Sequence, residues 1–208
     1  MAGPVVIQAT ALKERDPVLA GLVDRHGPPP PRRRVPASRR FATLAEMIVY
    51  QQLAGKAAAS IHGRLVAALG EVVSPEAVLS ASGELLASCG LSRAKAASIS
   101  DLADKVASGQ IDLDRIGRLS DDRVVGYLTQ VRGIGPWTAQ MFLISVLGRL
   151  DVWPVGDHGV RAGFARAWGL DEIPTPKQLE VLGEPFRPYR SLVAWYCWQV
   201  VDDRGPAS

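Results

Sequence analysis

A glycine-rich turn between two helical patterns constrains the fold of this chain more than any other segment. The turn reads VRGIGPWTA over residues 131–139 and follows a predicted helix over residues 121–130. Gly133 and Gly135 allow a positive φ without Cβ strain, and Pro136 suits the first turn of a new helix, where its missing N–H has no partner to lose. The segment therefore predicts two helices joined by a tight turn.

Such a turn leaves main-chain amides pointing outward at a helix N-terminus. This arrangement binds a phosphate group and is indifferent to the base sequence of a nucleic acid. We therefore expect a phosphate-binding hairpin at Arg132, Gly133, Ile134 and Gly135. The alternative interpretation is an ordinary helix–helix turn with a glycine C-cap.

Length and composition allow one unit with one core or two closely packed lobes. The chain has 208 residues, of which 47% are hydrophobic, and a net charge of +3. Its pI near 9.1 permits a basic face but does not diagnose one. We expect neither a signal peptide nor a membrane span, and a cytoplasmic protein.

The cysteines and histidines exclude several classes of site. Cys89 and Cys197 lie far apart, and His26, His62 and His158 form no metal-ligand cluster. We therefore expect no disulfide and no zinc site, and we interpret both thiols as small buried side chains in a reducing compartment.

Helical spacing of apolar residues dominates the chain, which predicts an all-α fold without internal repeats. Helix starts are predicted at Ser120, Ser74 and Ser92, and helix ends at the glycines Gly70, Gly90 and Gly109. One helix is predicted over residues 12–26, although Pro17 offers a later start. Residues 5–7 hint at a strand. Residues 27–34 predict a stiff proline-rich linker with a basic tip, either a solvated connector or a DNA contact.

A carboxylate follows the turn formed by residues 154–156. Asp157 is predicted to open the next helix, where the helix dipole and main-chain amides favour a negative charge. An aspartate before a helix is also the ordinary N-cap residue. Spacing alone therefore does not decide between a functional carboxylate and a structural N-cap. Asp151 is the rival carboxylate, but it precedes the turn.

Several separated motifs carry a resemblance to a known family. The hairpin GIGPWTA with Asp157 is joined by IVYQQL within residues 41–65, by GLSRAKA over 90–96, and by PYRS with AWYCW over 188–198. In their order along the chain the motifs resemble the helix-hairpin-helix (HhH-GPD) DNA glycosylases, in particular the branch of 3-methyladenine DNA glycosylase II.

The resemblance implies an all-α, two-lobed fold with a DNA-binding cleft between the lobes. It implies one lobe from about residues 1–40 with 155–208, and another from about 41–154 that contains the helix-hairpin-helix over 121–147. Only about forty residues precede Phe41, so the N-terminal α/β domain of some family members is not expected.

The implied activity is that of a monofunctional glycosylase in base excision repair. It would flip alkylated purines of the 3-methyladenine and 7-methylguanine type out of double-stranded DNA and hydrolyse the glycosidic bond. Asp157 would stabilise the oxocarbenium-like transition state and orient water. Trp137 stands where glycosylases with lyase activity carry a lysine, so no Schiff base is expected. Lys56 and Lys95 are interpreted as phosphate contacts or surface charges.

The resemblance also assigns residues to the base and the duplex. Trp137 and Trp198 match residues that contact the extruded base, and Met141 and His158 stand where a better-known relative has tyrosines. An indole face attracts a cationic alkylated purine. Trp195 and Trp198 also fit a core stripe, which we favour for Trp195. The duplex wedge is expected within the triplet Gln51, Gln52 and Leu53, with Gln52 or Leu53 as the inserted residue.

We expect no cofactor, apart from a structural Na⁺ or K⁺ that the hairpin backbone over residues 131–135 would hold by analogy with the family. Two cysteines exclude the four-cysteine iron–sulfur cluster of some relatives. The protein is expected to act as a monomer, and the resemblance to DNA glycosylases implies that it is associated with the nucleoid. Two alternatives stay open: a glycosylase for uracil, oxidised purines or mismatched adenine, and a non-catalytic helix-hairpin-helix module that recognises DNA structure.

Overall fold

The structure is a computed structural model that describes residues 4–30 and 34–203. Most of the basic tip of the predicted linker lies outside the described residues. Within them the helices are α1 (Pro4–Lys13), α2 (Pro17–His26), α3 (Ala37–Tyr50), α4 (Gly55–Ala68), α5 (Pro75–Ser80), α6 (Gly83–Ser88), α7 (Arg93–Ala107), α8 (Asp121–Leu128), α9 (Pro136–Ser145), α10 (His158–Trp168), α11 (Pro176–Leu182) and α12 (Arg190–Asp202). No strand occurs in these residues, which confirms the all-α prediction.

The chain divides into two compact units. Arg34–Leu147 forms one, which we call the hairpin unit because it contains α8 and α9. The described residues before and after it form the other, which we call the terminal unit.

Helices α3, α7 and α9 each contribute buried side chains to the hairpin unit. In α3 and α7 the apolar side chains recur at helical spacing, so that one stripe is buried and the opposite face meets water, whereas α9 is apolar around most of its surface. Leu44, Ile48, Ile99, Leu102 and Phe142 are completely buried. Burying side chains of this size stabilises the fold by roughly 1.5–3 kcal/mol each.

The core of the terminal unit depends on the close packing of α10 against α12. Gly163 permits this approach, because a Cβ there would lie 2.0 Å from the carbonyl oxygen of Cys197. Aromatic rings pack in the same core, where Phe164 stacks on Trp168 at 4.1 Å between ring centroids. The indole of Trp153 is buried and donates to the carbonyl of Leu179 at 2.8 Å.

Local capping signals predicted several helix boundaries correctly. The side chain of Ser74 accepts from the main-chain N–H of Ala77 at the start of α5. Ser92 caps α7 in the same way through Lys95 N–H. A glycine with positive φ follows each of α4, α6 and α7 at the predicted positions: Gly70, Gly90 and Gly109.

Two local predictions near the N-terminus are wrong. Residues 5–7 belong to α1 rather than to a strand, because three apolar residues carry no period of their own and Val5 packs against the terminal core. The single helix over residues 12–26 is two helices, since α1 ends at Lys13, and the later start offered at Pro17 is confirmed. Asp16 caps α2, its carboxylate accepting from Leu19 N–H at 2.9 Å, and Pro17 occupies the first helical position.

The predicted helix over residues 121–130 ends two residues early, at Leu128.

Both cysteines are buried, as expected. None of the helices in the described ranges combines the length and the apolar character that crossing a membrane requires.

Candidate active site and hairpin

The turn between α8 and α9 is a tight hairpin with one left-handed residue. Gly133 has φ +76°, and Ile134, which is 4% exposed, anchors the tip in the core. Ile134 N–H donates to the carbonyl of Val131 at 3.1 Å. Gly135 is the N-cap of α9, and no side chain caps the helix there. The main chain of this turn therefore presents a helix N-terminus in the way that suits a phosphate.

The two hairpin glycines have different reasons to be glycine. At Gly133 both the positive φ and a neighbour exclude a side chain, because a Cβ would lie 2.3 Å from Oγ of Ser98. Gly135 has φ −92°, which any residue adopts, so the predicted positive φ is wrong at this position. A Cβ on Gly135 would meet no atom of the protein within 4 Å.

Residues on one face of α7 contact the hairpin. Beside Ser98, Asp101 accepts through Oδ2 from the main-chain N–H of Arg132 at 2.8 Å, and its Oδ1 pairs with Lys105 Nζ. The hydrogen bond from Lys105, then that from Arg132, lowers the pKa of Asp101 below its ordinary value. The sequence analysis missed both supporting residues.

The segment expected to wedge the duplex begins where α3 ends. Gln51 is half-buried, and its Nε2 donates to the carbonyl of Gly133 and to Oγ1 of Thr138, both at 3.1 Å. Gln52 and Leu53 are exposed, and Gln52 has φ +55°, a left-handed conformation that is uncommon outside glycine. Only Gln51 of the three is tied to the hairpin by hydrogen bonds in the described contacts.

Lys95 proves to have a structural contact. Its Nζ donates to the carbonyl oxygens of Val49 and Gln51, both at 2.7 Å, and thereby satisfies acceptors at the C-terminus of α3. Desolvation lowers the pKa of Lys95. The interpretation of Lys95 as a simple surface charge is therefore wrong, while a phosphate contact through its third N–H stays a prediction.

A cavity of about 550 Å³ opens beside the hairpin within the hairpin unit. Its wall includes Trp137, which is 47% exposed, together with Met47 and Tyr50 from α3, which the sequence analysis did not single out. Met141 lies on α9 one turn beyond Trp137 and is half-buried. The exposed indole at this cavity offers a flat apolar face to a planar ligand.

Asp157 is a buried carboxylate at the start of α10. Its N–H closes the preceding turn by donating to Pro154 O, and the residue is 9% exposed. Oδ1 accepts from Val160 N–H at 2.8 Å and from the indole Nε1–H of Trp198 at 3.1 Å. The prediction that Asp157 opens a helix is confirmed, and its carboxylate orientation is set from two directions.

The absence of a side chain at Gly159 leaves room for the contact between Asp157 and Trp198. A Cβ there would lie 3.1 Å from both Asp157 Oδ1 and Trp198 Cδ1. His158 is the exposed first residue of α10. In the terminal unit the structure thus brings together Asp157, Trp198 and, next to Asp157 in the chain, His158. In the hairpin unit it brings together Trp137 and Gln51.

The rival carboxylate Asp151 is committed to a salt-bridge cluster. Arg190, which is 6% exposed, donates from Nε to Oδ1 at 2.8 Å and from Nη2 to Oδ2 at 3.1 Å. Arg187 adds a contact of 2.7 Å to Oδ2. A bidentate arginine of this kind fixes a carboxylate in place, which leaves Asp157 as the better candidate for chemistry.

Comparison with known proteins defines the class. Residues 45–188 match the model of the HhH-GPD superfamily of base excision DNA repair proteins. This match covers more than half of the chain and includes the hairpin, Gln51 and Asp157. The protein belongs to this superfamily.

Individual relatives are similar over most of the chain. DNA-3-methyladenine glycosylase 1 of Schizosaccharomyces pombe is 33% identical over 172 residues, which are 81% of this chain and 75% of the relative. The DNA-3-methyladenine glycosylase of Saccharomyces cerevisiae is also 33% identical over 172 residues, but these cover 78% of this chain and 58% of the relative.

Solved structures give the same picture. The S. pombe 3-methyladenine DNA glycosylase in complex with abasic DNA has a TM-score of 0.81 and 31% identity, covering 92% of this chain and 95% of that one. A DNA-3-methyladenine glycosidase from Bacillus halodurans has a TM-score of 0.81 and 32% identity, covering 97% of this chain and 90% of that one.

Proposed function

We propose that this protein is a monofunctional DNA glycosylase of base excision repair that hydrolyses alkylated purines from double-stranded DNA and leaves an abasic site. The names of its relatives in S. pombe, S. cerevisiae and B. halodurans support the activity. The complex of the S. pombe relative with abasic DNA supports DNA as the partner.

The observation that carries the mechanism is the buried carboxylate of Asp157. Cleavage of an N-glycosidic bond builds positive charge on the sugar, and a fixed anion in a site of low dielectric stabilises that charge most effectively. Val160 N–H and Trp198 Nε1–H hold the carboxylate oxygen Oδ1. No reorganisation of this group is then needed when the charge develops.

The reaction is a hydrolysis. The C1′–N bond breaks and its electron pair leaves with the base, while a water oxygen bonds to C1′ and a water proton passes to the carboxylate of Asp157. A purine alkylated at N3 or N7 is cationic and becomes neutral as it leaves, so a strong general acid is not required. Trp137, at the hairpin position of the lyase lysine, has no amine for a Schiff base.

Recognition of the base is assigned to side chains. Trp137, Met141, Trp198 and His158 are proposed to contact the extruded base, with cation–π attraction favouring alkylated purines. The main chain around Ile134 is proposed to bind a DNA phosphate.

The hairpin carbonyls between residues 131 and 135 are proposed to hold Na⁺ or K⁺ beside that phosphate. The carbonyl of Gly133 already accepts from Gln51 and that of Val131 from Ile134, but a carbonyl oxygen has a second lone pair. These oxygens therefore fit a weakly bound monovalent cation.

A base-release assay tests the activity. Duplexes carrying 3-methyladenine, 7-methylguanine, uracil, 8-oxoguanine or an adenine mismatch are incubated with the wild-type protein and with Asp157→Asn. The asparagine keeps an oxygen for Val160 N–H and Trp198 Nε1–H but removes the charge, so we expect release of methylated bases to fall by roughly 10²–10³-fold with the fold intact.

The same assay distinguishes the alternatives. Release of uracil or an oxidised base but not of methylated purines would assign another lesion class. Tight binding to damaged duplexes without any base release, unchanged by Asp157→Asn, would identify a non-catalytic module. Product strands that break only after alkali treatment are expected, since the proposed reaction leaves the backbone whole.

A further inference from the structure

We propose that Gln51 is a positioning residue that ties the hairpin to the exposed pair Gln52 and Leu53, rather than a residue that enters the duplex. The inference rests on the proposed function, because it concerns how the enzyme separates a base from its stack. It gives Gln51 the task of holding the wedge residue that the sequence already predicts at Gln52 or Leu53.

Both donors of the Gln51 carboxamide are already used. An amide nitrogen carries two hydrogens, and here one goes to the carbonyl of Gly133 and the other to Oγ1 of Thr138. Thr138 is 4% exposed, so its hydroxyl accepts this bond within the protein interior. Insertion of Gln51 into DNA would break two hydrogen bonds and leave polar atoms without partners.

The main chain of the same residue is held from the other side. Lys95 Nζ binds the carbonyl of Gln51 at 2.7 Å and, at the same distance, that of Val49. Lys95 belongs to α7, and the same helix carries Asp101, which binds Arg132 N–H at the entry to the hairpin. Both ends of the tether therefore rest on one helix.

The contacts of Gln51 constrain the main-chain conformation of Gln52. Its φ of +55° is costly for a side chain with a Cβ and persists only where the surroundings over-determine it. The fixed carbonyl and side chain of Gln51 supply that constraint. With the hairpin on one phosphate, Gln52 and Leu53, which is 39% exposed, would meet the base stack at a constant spacing.

The tether matters only when a base has to leave a duplex, which gives a selective test. Gln51→Leu removes both donors, and Thr138→Val removes one acceptor while keeping the shape. Thr138→Ser keeps the hydroxyl and serves as the matched control. Single-turnover base release is measured on a methylated duplex and on the same methylated strand without its complement.

We expect Gln51→Leu and Thr138→Val each to slow release from the duplex by roughly tenfold, the loss of one or two hydrogen bonds. Release from the single strand should change by less than about twofold, because no stack has to be opened. Thr138→Ser should match the wild type on both substrates. The double variant should lose less than the product of the two single losses, since both act on one contact.

Equal slowing on duplex and single strand would overturn the proposal, because it would mean general damage to the site, and so would an unchanged duplex rate. A second readout does not need base release. Fluorescence of 2-aminopurine beside an abasic analogue should rise on binding to the wild type and rise less with Gln51→Leu. If the wild type releases no methylated base, the proposed function fails, and this fluorescence still decides whether the tether acts.

Discussion

The indole Nε1 of Trp198 lies 3.1 Å from the carboxylate Oδ1 of Asp157, and the two residues are 41 positions apart in the chain. The carboxylate begins α10 and the indole projects from α12. A residue proposed to stabilise charge on the sugar and a residue proposed to stack on the base are thereby joined by one hydrogen bond. Changes in the indole should therefore reach the carboxylate.

Trp198→Phe tests this link. Phenylalanine keeps an aromatic face but removes the donor, so the carboxylate of Asp157 loses one of its two described hydrogen bonds. We expect kcat on a methylated duplex to fall by roughly tenfold, as for one bond to a charged group. Trp195→Phe, three residues earlier on the same helix, is the control and should leave kcat unchanged. Similar losses in the two variants would show that α12 packing, not the hydrogen bond, is responsible.

Alanine substitutions at the hairpin glycines Gly133 and Gly135 form a second matched pair of variants. Gly133→Ala introduces a Cβ at positive φ against Ser98 and should destabilise the protein by about 1–3 kcal/mol in urea unfolding. Gly135→Ala meets no protein atom and should leave stability within about 0.5 kcal/mol. Binding to a duplex with an abasic analogue should nevertheless weaken for Gly135→Ala, because a Cβ would obstruct a phosphate. Unaltered DNA affinity in that variant would argue against the phosphate site.

The stabilising effect of Asp101 should depend on pH. The pKa of its carboxyl is lowered by Lys105 and by Arg132 N–H, so its contribution to stability is complete above the unfolded value near 3.9 and disappears as pH falls through the lower folded value. Asp101→Asn should be less stable than the wild type by about 1 kcal/mol at pH 7, a modest figure because the group is partly solvated. The difference should shrink below about pH 4. Urea unfolding at pH 7, 5 and 3 measures it, and a gap that stays constant down to pH 3 would contradict the assignment.

The contact of α10 with α12 can be tested at Gly163. Alanine there would place a Cβ 2.0 Å from the carbonyl of Cys197, so Gly163→Ala should force the helices apart and destabilise the protein by about 3 kcal/mol or more. Gly21→Ala, also within a helix of the terminal unit, meets nothing within 4 Å and should stabilise by about 0.5–1 kcal/mol. Thermal unfolding of the pair separates helix propensity from packing. A small effect at Gly163 would mean that the two helices have room to move.

Local signals in the sequence predicted much of this fold. Serine before a helix and glycine after one are short-range rules, which is why Ser74, Ser92 and Gly109 behave as expected. Residues 5–7 show the limit of such rules, since three apolar residues fit a helix and a strand equally well.

The support of the candidate site was beyond these rules. Asp101 and Arg132 are 31 residues apart, and Lys95 reaches the end of α3 from 44 residues away. Contacts of this kind follow from tertiary packing and carry no local period. The identity of Gly135 also does not reveal whether glycine serves backbone conformation or the approach of another molecule.

The absence of a side chain at Gly163 has a consequence for the cost of catalysis. Helices held within backbone contact cannot drift, so the anion at residue 157 and its indole partner are already assembled in the protein without DNA. Substrate binding energy then need not be consumed in arranging them and stays available for extracting the damaged nucleotide.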